Sequence, residues 1–289
     1  MPNIDEKTDE QLVLLDVADG VGVVTWNRPE RNNAYSIQLE RAYYARLREC
    51  EQNPDVRVIV VTGAGKCFCP GMDSATLSAQ ANDPTLTTHP HLRPPVTLPR
   101  TIRKPVIAAI NGACAGIGLV VAMNCDLRFA SSTAKITTAF SRRGIMAEHG
   151  LAWPLQRVVG QSRALDLLFS GRIVQGQEAL AMGLVDRIFE PGELMEQTLA
   201  YARDLVANCS PVAMGVMKQQ VYAAAESTHE EARTLAIRFW YDVLRDHPDF
   251  KEGIESYLDR REPAFAPWDP ATTLDPAPLP EGPSTRPGQ

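Results

Sequence analysis

Two stretches of this chain share one local plan: an apolar run suited to a buried strand, a turn on glycine and other small residues, and a helical pattern directly behind it. The first runs from Arg57–Thr62 (RVIVVT) through Gly63-Ala64-Gly65 to a second glycine turn at Gly71-Met72. The second, Ile110–Asp126 (INGACAGIGLVVAMNCD), follows the run Val106–Ile110 and turns at Gly116-Ile117-Gly118. A helix start presents unpaired N–H groups and the positive end of a dipole. The glycines therefore have two readings: they let strand and helix pack closely, or they shape a site for an anion or a developing oxyanion. Placed side by side, the turns would aim the N–H groups of Met72 and Ile117 at one oxygen. Each such donor is typically worth ~3 kcal/mol of barrier.

A length of 289 residues suits one large domain, or a main domain with an appendage. The net charge of −6, with no basic run, argues against a nucleic-acid partner. The N-terminus (MPNIDEKTDE) has no apolar signal region and no stretch is long enough to span a bilayer, so a cytoplasmic protein without a membrane partner is expected. The six cysteines are scattered through mostly apolar segments and read as reduced, largely buried thiols. Cys67 and Cys69 are close together but make no metal site. His89 and His91 lack an acidic or Cys neighbour, so no metal is expected there either. They lie in Ala75–Lys104, a Thr- and Pro-rich stretch without periodicity that reads as a lid or a disordered loop.

In chain order, Gln11–Asp16 and Val21–Trp26 read as a hairpin about Ala18-Asp19-Gly20. Ser36 caps a helix whose Leu39, Tyr43, Leu47 and Cys50 form a buried face. Asp73 or Ser74 caps a short helix, and Ala113–Ala115 is a small-residue turn. Strands follow at Leu127–Ala130, Lys135–Ala139 and Leu184–Phe189, with helices over Leu151–Val158, Ser162–Phe169 and Gly176–Met182. Beyond Pro191 the pattern is helical, over Leu194–Ala207, Val212–Tyr222, Glu230–Arg245 and about Lys251–Arg260. This divides the chain into a mixed core (1–206), a helical region (207–266) and a Pro-rich disordered tail (267–289).

Four motifs, VVTWNRPERNNAYS (Val23–Ser36), VIVVTGAGKCFCPGMDS (Val58–Ser74), KPVIAAINGACAGIGLVVAMNCD (Lys104–Asp126) and GRIVQGQEALAMGLV (Gly171–Val185), stand in the order and spacing of the enoyl-CoA hydratase/isomerase (crotonase) family, which the chain resembles from about Gln11 to Phe265. The resemblance implies an α/β fold of the ClpP/crotonase kind, a spiral of ββα units with a C-terminal α-helical trimerisation region. It further implies a homotrimer or a dimer of trimers, and an acyl-CoA thioester substrate whose coenzyme A is part of the substrate, with no separate cofactor. The thioester carbonyl would lie between the N–H groups of Met72 and Ile117. The loop Pro70–Ser74, including Asp73, would contact the CoA. Tyr257 and Arg260 match positions that reach the CoA of a neighbouring subunit.

The departures from the family pattern are chemical. The two glutamates of its hydratases fall, by register, at Val120 and Phe140, which line a pocket but move no proton. One carboxylate remains, Glu148, at a position resembling the catalytic carboxylate of some enoyl-CoA isomerases of the family. An enolate held in an oxyanion hole needs only one base to carry a proton between C2 and C4, which points to conversion of 3-enoyl-CoA to 2-enoyl-CoA. The alternatives are hydration of 2-enoyl-CoA by an altered constellation and a non-catalytic acyl-CoA-binding protein. For Glu148 the competing reading is a solvent-exposed loop acid. His149 reads as a cap for the helix Leu151–Val158, with a hydrogen bond to Glu148 as the alternative.

Overall fold

The computed structural model describes residues 7–82 and 95–274. Its core is two sheets. The larger has six strands in the order β1 (Val13–Ala18), β2 (Val21–Trp26), β3 (Val58–Gly63), β5 (Val106–Ile110), β7 (Leu127–Ser131) and β10 (Arg187–Phe189). The smaller orders β4 (Cys67–Cys69), β6 (Ala113–Ala115), β8 (Lys135–Thr137) and β9 (Val174–Gln175). Among the described residues only the β1/β2 and β8/β9 pairs are antiparallel. Each consecutive pair β3/β4, β5/β6 and β7/β8 thus places its first strand in the large sheet and its second in the small one. This repeated step is the spiral.

Local chemistry explains the elements. Every residue of β3 is buried, as a parallel strand covered on both faces requires. The β1–β2 turn puts Asp19 and Gly20 at φ 50° and 77°, the left-handed pair that a tight hairpin needs. In α2 (Ile37–Gln52) the Ser36 hydroxyl accepts the Leu39 N–H at 3.2 Å, and Leu39, Tyr43, Leu47 and Cys50 are all buried. The helix α5 (Ile117–Asn124) is buried along its whole length. It follows β6 after the single residue Gly116.

Several expectations are corrected. Residues Asp9–Leu12 form a helical turn (α1), with the Gln11 side chain accepting the Thr8 N–H at 3.0 Å, so β1 starts only at Val13. Ala113–Ala115 is a strand, because β4 and β8 flank it and take up its backbone groups. The stretch 75–104 is not uniformly irregular: α3 (Ser74–Asn82) and α4 (Leu98–Thr101) occupy its two ends, and His89 and His91 lie outside the described residues. After α6 (Ala152–Val159), α7 (Gln161–Ser170) and α8 (Gly176–Ala181), strand β10 is shorter than expected, since Leu184 and Val185 belong to the core packing instead.

Helix α9 (Leu194–Asn208) covers the outer face of the large sheet, where Phe129 meets Tyr201 at 5.3 Å between ring centroids. The remaining helices are α10 (Pro211–Ala224), α11 (His229–Phe239), a π-helical turn at Trp240–Leu244 and α12 (Pro248–Asp259). The segment after α12 departs from the disordered tail expected from 267 onward. Trp268 and Leu274, each 1% exposed, complete an apolar cluster with Val212, Val216 and Phe239. Arg103 donates to the carbonyls of Thr272 and Pro270, and Arg57 to that of Phe265 at 3.0 Å. Residues 275–289 lie outside the described residues. No described helix is long and apolar enough to cross a membrane. All six cysteines are free thiols, four of them buried. Burial pushes the Cys50, Cys69 and Cys125 thiols up to about 12.

Candidate active site

The two glycine turns meet. Strand β4 lies beside β6, pairing Cys67 with Ala113 and Cys69 with Cys114. Just past these strands, a Cβ on Gly71 would lie 3.6 Å from the Ala115 carbonyl, and one on Gly116 would lie 3.9 Å from the Gly71 Cα. Gly71 and Gly116 have φ of 118° and 52°, backbone conformations that a side chain strains. Gly118 serves a different need, because a Cβ there would come within 2.3 Å of the Cys69 carbonyl oxygen. The glycines therefore divide in role: close packing at Gly118 and turn shape at Gly71 and Gly116.

The direction of the Met72 amide follows from its neighbours. Tyr35 N–H donates to the Gly71 carbonyl at 2.8 Å, and Asp73 N–H donates to the Tyr35 carbonyl at 2.9 Å. These are the two bonds of a parallel bridge between Tyr35 and Met72. Such a bridge leaves the N–H of Met72 itself on the opposite edge, the edge that β6 and the start of α5 occupy. Ile117 is the first residue of α5, and the first intrahelical bond at this end is Val120 N–H to the Gly116 carbonyl at 3.0 Å. Neither amide, of Met72 or of Ile117, donates a hydrogen bond to another described residue. Two unspent donors, one of them at a buried helix N-terminus, can polarise a carbonyl oxygen and hold the negative charge that develops on it.

The other candidates are distributed as follows. Val120 is wholly buried on α5, and Phe140 is buried just before a turn in which Arg143 and Ile145 N–H groups donate back to its carbonyl at 2.9 and 3.2 Å. Met72, Ile117, Val120 and Phe140 all belong to or pack on the main core cluster. Glu148 is half-buried at the start of the turn Glu148–Gly150, which ends on the buried Leu151. Its carboxylate has no hydrogen-bond or ion-pair partner among the described residues. His149 is exposed with φ 53°, and α6 starts after Leu151 without a side-chain cap, so the capping role expected of His149 is not seen.

In the loop Pro70–Ser74, Pro70 is half-buried and Ser74 exposed, while Asp73 is buried and turned inward. Its Oδ1 accepts the Ala75 N–H at 2.9 Å, the cap expected for α3. Its Oδ2 stands 3.3 Å from Nη1 of Arg28. Arg28 was not singled out from sequence, because 45 positions separate it from Asp73 and no local pattern links them. Tyr257, 81% exposed, and Arg260 lie at the end of α12 in the helical region.

A two-sheet spiral carrying paired, unspent amides on adjacent strand-to-helix turns defines a crotonase-fold protein. A family model described as enoyl-CoA hydratase/isomerase matches residues 16–267, and the chain belongs to that family. It is 34% identical over 257 residues to the (E)-benzylidenesuccinyl-CoA hydratase of Thauera aromatica, covering 88% of this chain and 98% of that one. It is 30% identical over 262 residues to the 1,2-epoxyphenylacetyl-CoA isomerase of Escherichia coli K12, covering 88% and 98%. The crystal structure of a probable enoyl-CoA hydratase/isomerase from Mycobacterium abscessus superposes with a TM-score of 0.80 at 28% identity, over 89% of this chain and 99% of that one.

Proposed function

We propose that this protein is an acyl-CoA enzyme that stabilises a thioester enolate and shifts a double bond, converting 3-enoyl-CoA to 2-enoyl-CoA. The thioester carbonyl accepts hydrogen bonds from the Met72 and Ile117 amides, which makes the protons at C2 and C4 removable. Glu148 takes a proton from one of these carbons and returns it to the other. Val120 and Phe140 form an apolar wall where water would otherwise be activated, and the substrate brings its own coenzyme A, so no further cofactor is invoked.

The observation that carries this reading is the state of the carboxylates. Of the acids on the three segments that build the site (66–74, 113–124 and 140–151), Asp73 is spent on Arg28 and Ala75, and Glu148 alone is without a partner among the described residues. The relatives include proteins named as hydratases and as isomerases, and the deciding assay offers purified protein both 2-enoyl- and 3-enoyl-CoA. Isomerisation that falls by ~100-fold or more in Glu148→Gln supports the reading. Fast hydration that survives this substitution overturns it, as does tight acyl-CoA binding with no turnover of any enoyl substrate.

Assembly as a trimer belongs to the same reading. Met217, Val221, Phe250, Ile254, Tyr257 and Leu258 expose apolar surface on α10 and α12, and burying it between copies would bring Tyr257 and Arg260 towards a neighbour's CoA. Light scattering that finds a monomer would remove this part.

A further inference from the structure

We propose that Asp73, gripped by Arg28, is a positioning residue that sets the direction of the Met72 amide and does not touch the substrate. The inference rests on Met72 being an oxyanion donor and says what holds that donor in place. Arg28 is 4% exposed and Asp73 7%. The same nitrogen, Nη1 of Arg28, donates to the Ala34 carbonyl at 2.7 Å and reaches Oδ2 of Asp73 at 3.3 Å. Ala34 and Asp73 each adjoin a member of the Tyr35–Met72 bridge. One guanidinium therefore ties together the two backbones whose pairing aims the Met72 N–H.

The base of the grip is also fixed. Arg28 N–H donates to Oδ1 of Asn33 at 2.9 Å, and Nδ2 of Asn33 reaches the carbonyls of Ala64 and Cys67 at 3.0 and 2.7 Å. Arg28 is thereby anchored to both ends of the loop between β3 and β4. Capping α3 would need only an oxygen, which Asn supplies as well as Asp. An ionised pair removed from water is an expensive way to make a cap, and it fits a role in which geometry is at stake. Directed inward on Arg28 and Ala75, the carboxylate is turned away from the CoA contact that the family resemblance implied for it.

The test compares wild type with Asp73→Asn, which keeps the size and the capping oxygen but removes the charge, and Arg28→Lys, which keeps the charge but removes the planar guanidinium. The ligand is acetyl-CoA labelled with carbon-13 at the thioester carbonyl. Calorimetry gives its affinity, and the infrared shift of its carbonyl on binding reads the donors without any chemistry. We expect affinity and KM within ~2-fold of wild type, kcat lower by ~10- to 100-fold, and a carbonyl shift much reduced in both variants. Affinity weakened ~10-fold with the carbonyl shift intact would make Asp73 a CoA contact and overturn the proposal. Unchanged kcat and shift would leave it a helix cap and do the same. If wild-type protein binds acetyl-CoA without a carbonyl shift, or does not bind it, the oxyanion reading itself falls. Should Asp73→Asn not fold, Arg28→Lys carries the comparison, with its thermal melt as control.

Discussion

Gly118 and Cys69 are in backbone contact: the Cα of one faces the carbonyl oxygen of the other so closely that a Cβ would sit 2.3 Å from it. The contact fixes how near α5 comes to β4, and with it the spacing of the Met72 and Ile117 amides. Gly118→Ala is expected to cost ~1–3 kcal/mol of stability, because a backbone oxygen cannot step aside as a side-chain tip can. It should also lower kcat in protein that remains folded. Urea unfolding checks the first effect; a stability equal to wild type would show that the turns can slide apart freely.

The segment after α12 is expected to contribute strongly to stability. Trp268 packs in the cluster of α10 and α11, with the Arg103 guanidinium 5.1 Å and the Lys104 ammonium 5.4 Å from its ring centroid. Trp268→Ala should cost ~3–5 kcal/mol, with hydrogen exchange accelerating first in α10 and α11. A loss below ~1 kcal/mol would mean the segment rests on the surface without holding it.

A trio centred on the buried Lys218, with half-buried Asp126 and Tyr222, joins α10 to the large sheet. Lys218 pairs with Asp126 at 2.7 Å and donates to the carbonyls of Pro99 and Lys104, while the Tyr222 hydroxyl donates to the same carboxylate at 2.8 Å. Asp126→Asn should destabilise by ~3–5 kcal/mol, since it strands a buried ammonium. Tyr222→Phe should cost ~1 kcal/mol. Chemical denaturation of the two variants side by side tests the ranking, and equal losses would contradict it.

Stability at alkaline pH should reflect two opposing groups of side chains. Burial depresses Lys104 to about 8 from its ordinary 10.5, so the folded state binds this proton less tightly than the unfolded chain. The resulting penalty is full below pH 8 and lifts as pH rises toward 10.5, adding about 1 kcal/mol between pH 8 and 9. The buried Cys50, Cys69 and Cys125 thiols work in the opposite sense: raised to about 12 from 9, they favour folding below pH 9 and lose that contribution above it. In reducing buffer the two terms offset each other between pH 8 and 9, and the thiols dominate above that, so unfolding free energy should hold and then fall. Lys104→Met should remove the offset and start the fall at lower pH, and an unaltered profile in that variant would show that Lys104 does not supply it.

The parts legible in the sequence are those with a local cause. Leu39, Tyr43, Leu47 and Cys50 announce the buried face of α2 through their spacing, and β3 announces itself as an uninterrupted apolar run. Gly71 and Gly116 mark the turns because few other residues tolerate their backbone angles. The parts that were not legible have remote causes. Ala113–Ala115 carries no strand signature of its own and is a strand only because β4 and β8 lie on either side. Arg28 finds Asp73 through the fold alone. The proline-rich composition around Trp268 and Leu274 reads as disorder, although two apolar side chains with somewhere to go are enough to dock it.

A single residue, Gly116, separates a strand held between two neighbours from a helix buried throughout, and the Ile117 amide sits at that junction. It has no loop whose fluctuations could carry it in and out of register. Its positional jitter is therefore that of the protein interior, a fraction of an ångström, and any drift of this donor requires elastic deformation of sheet and helix together.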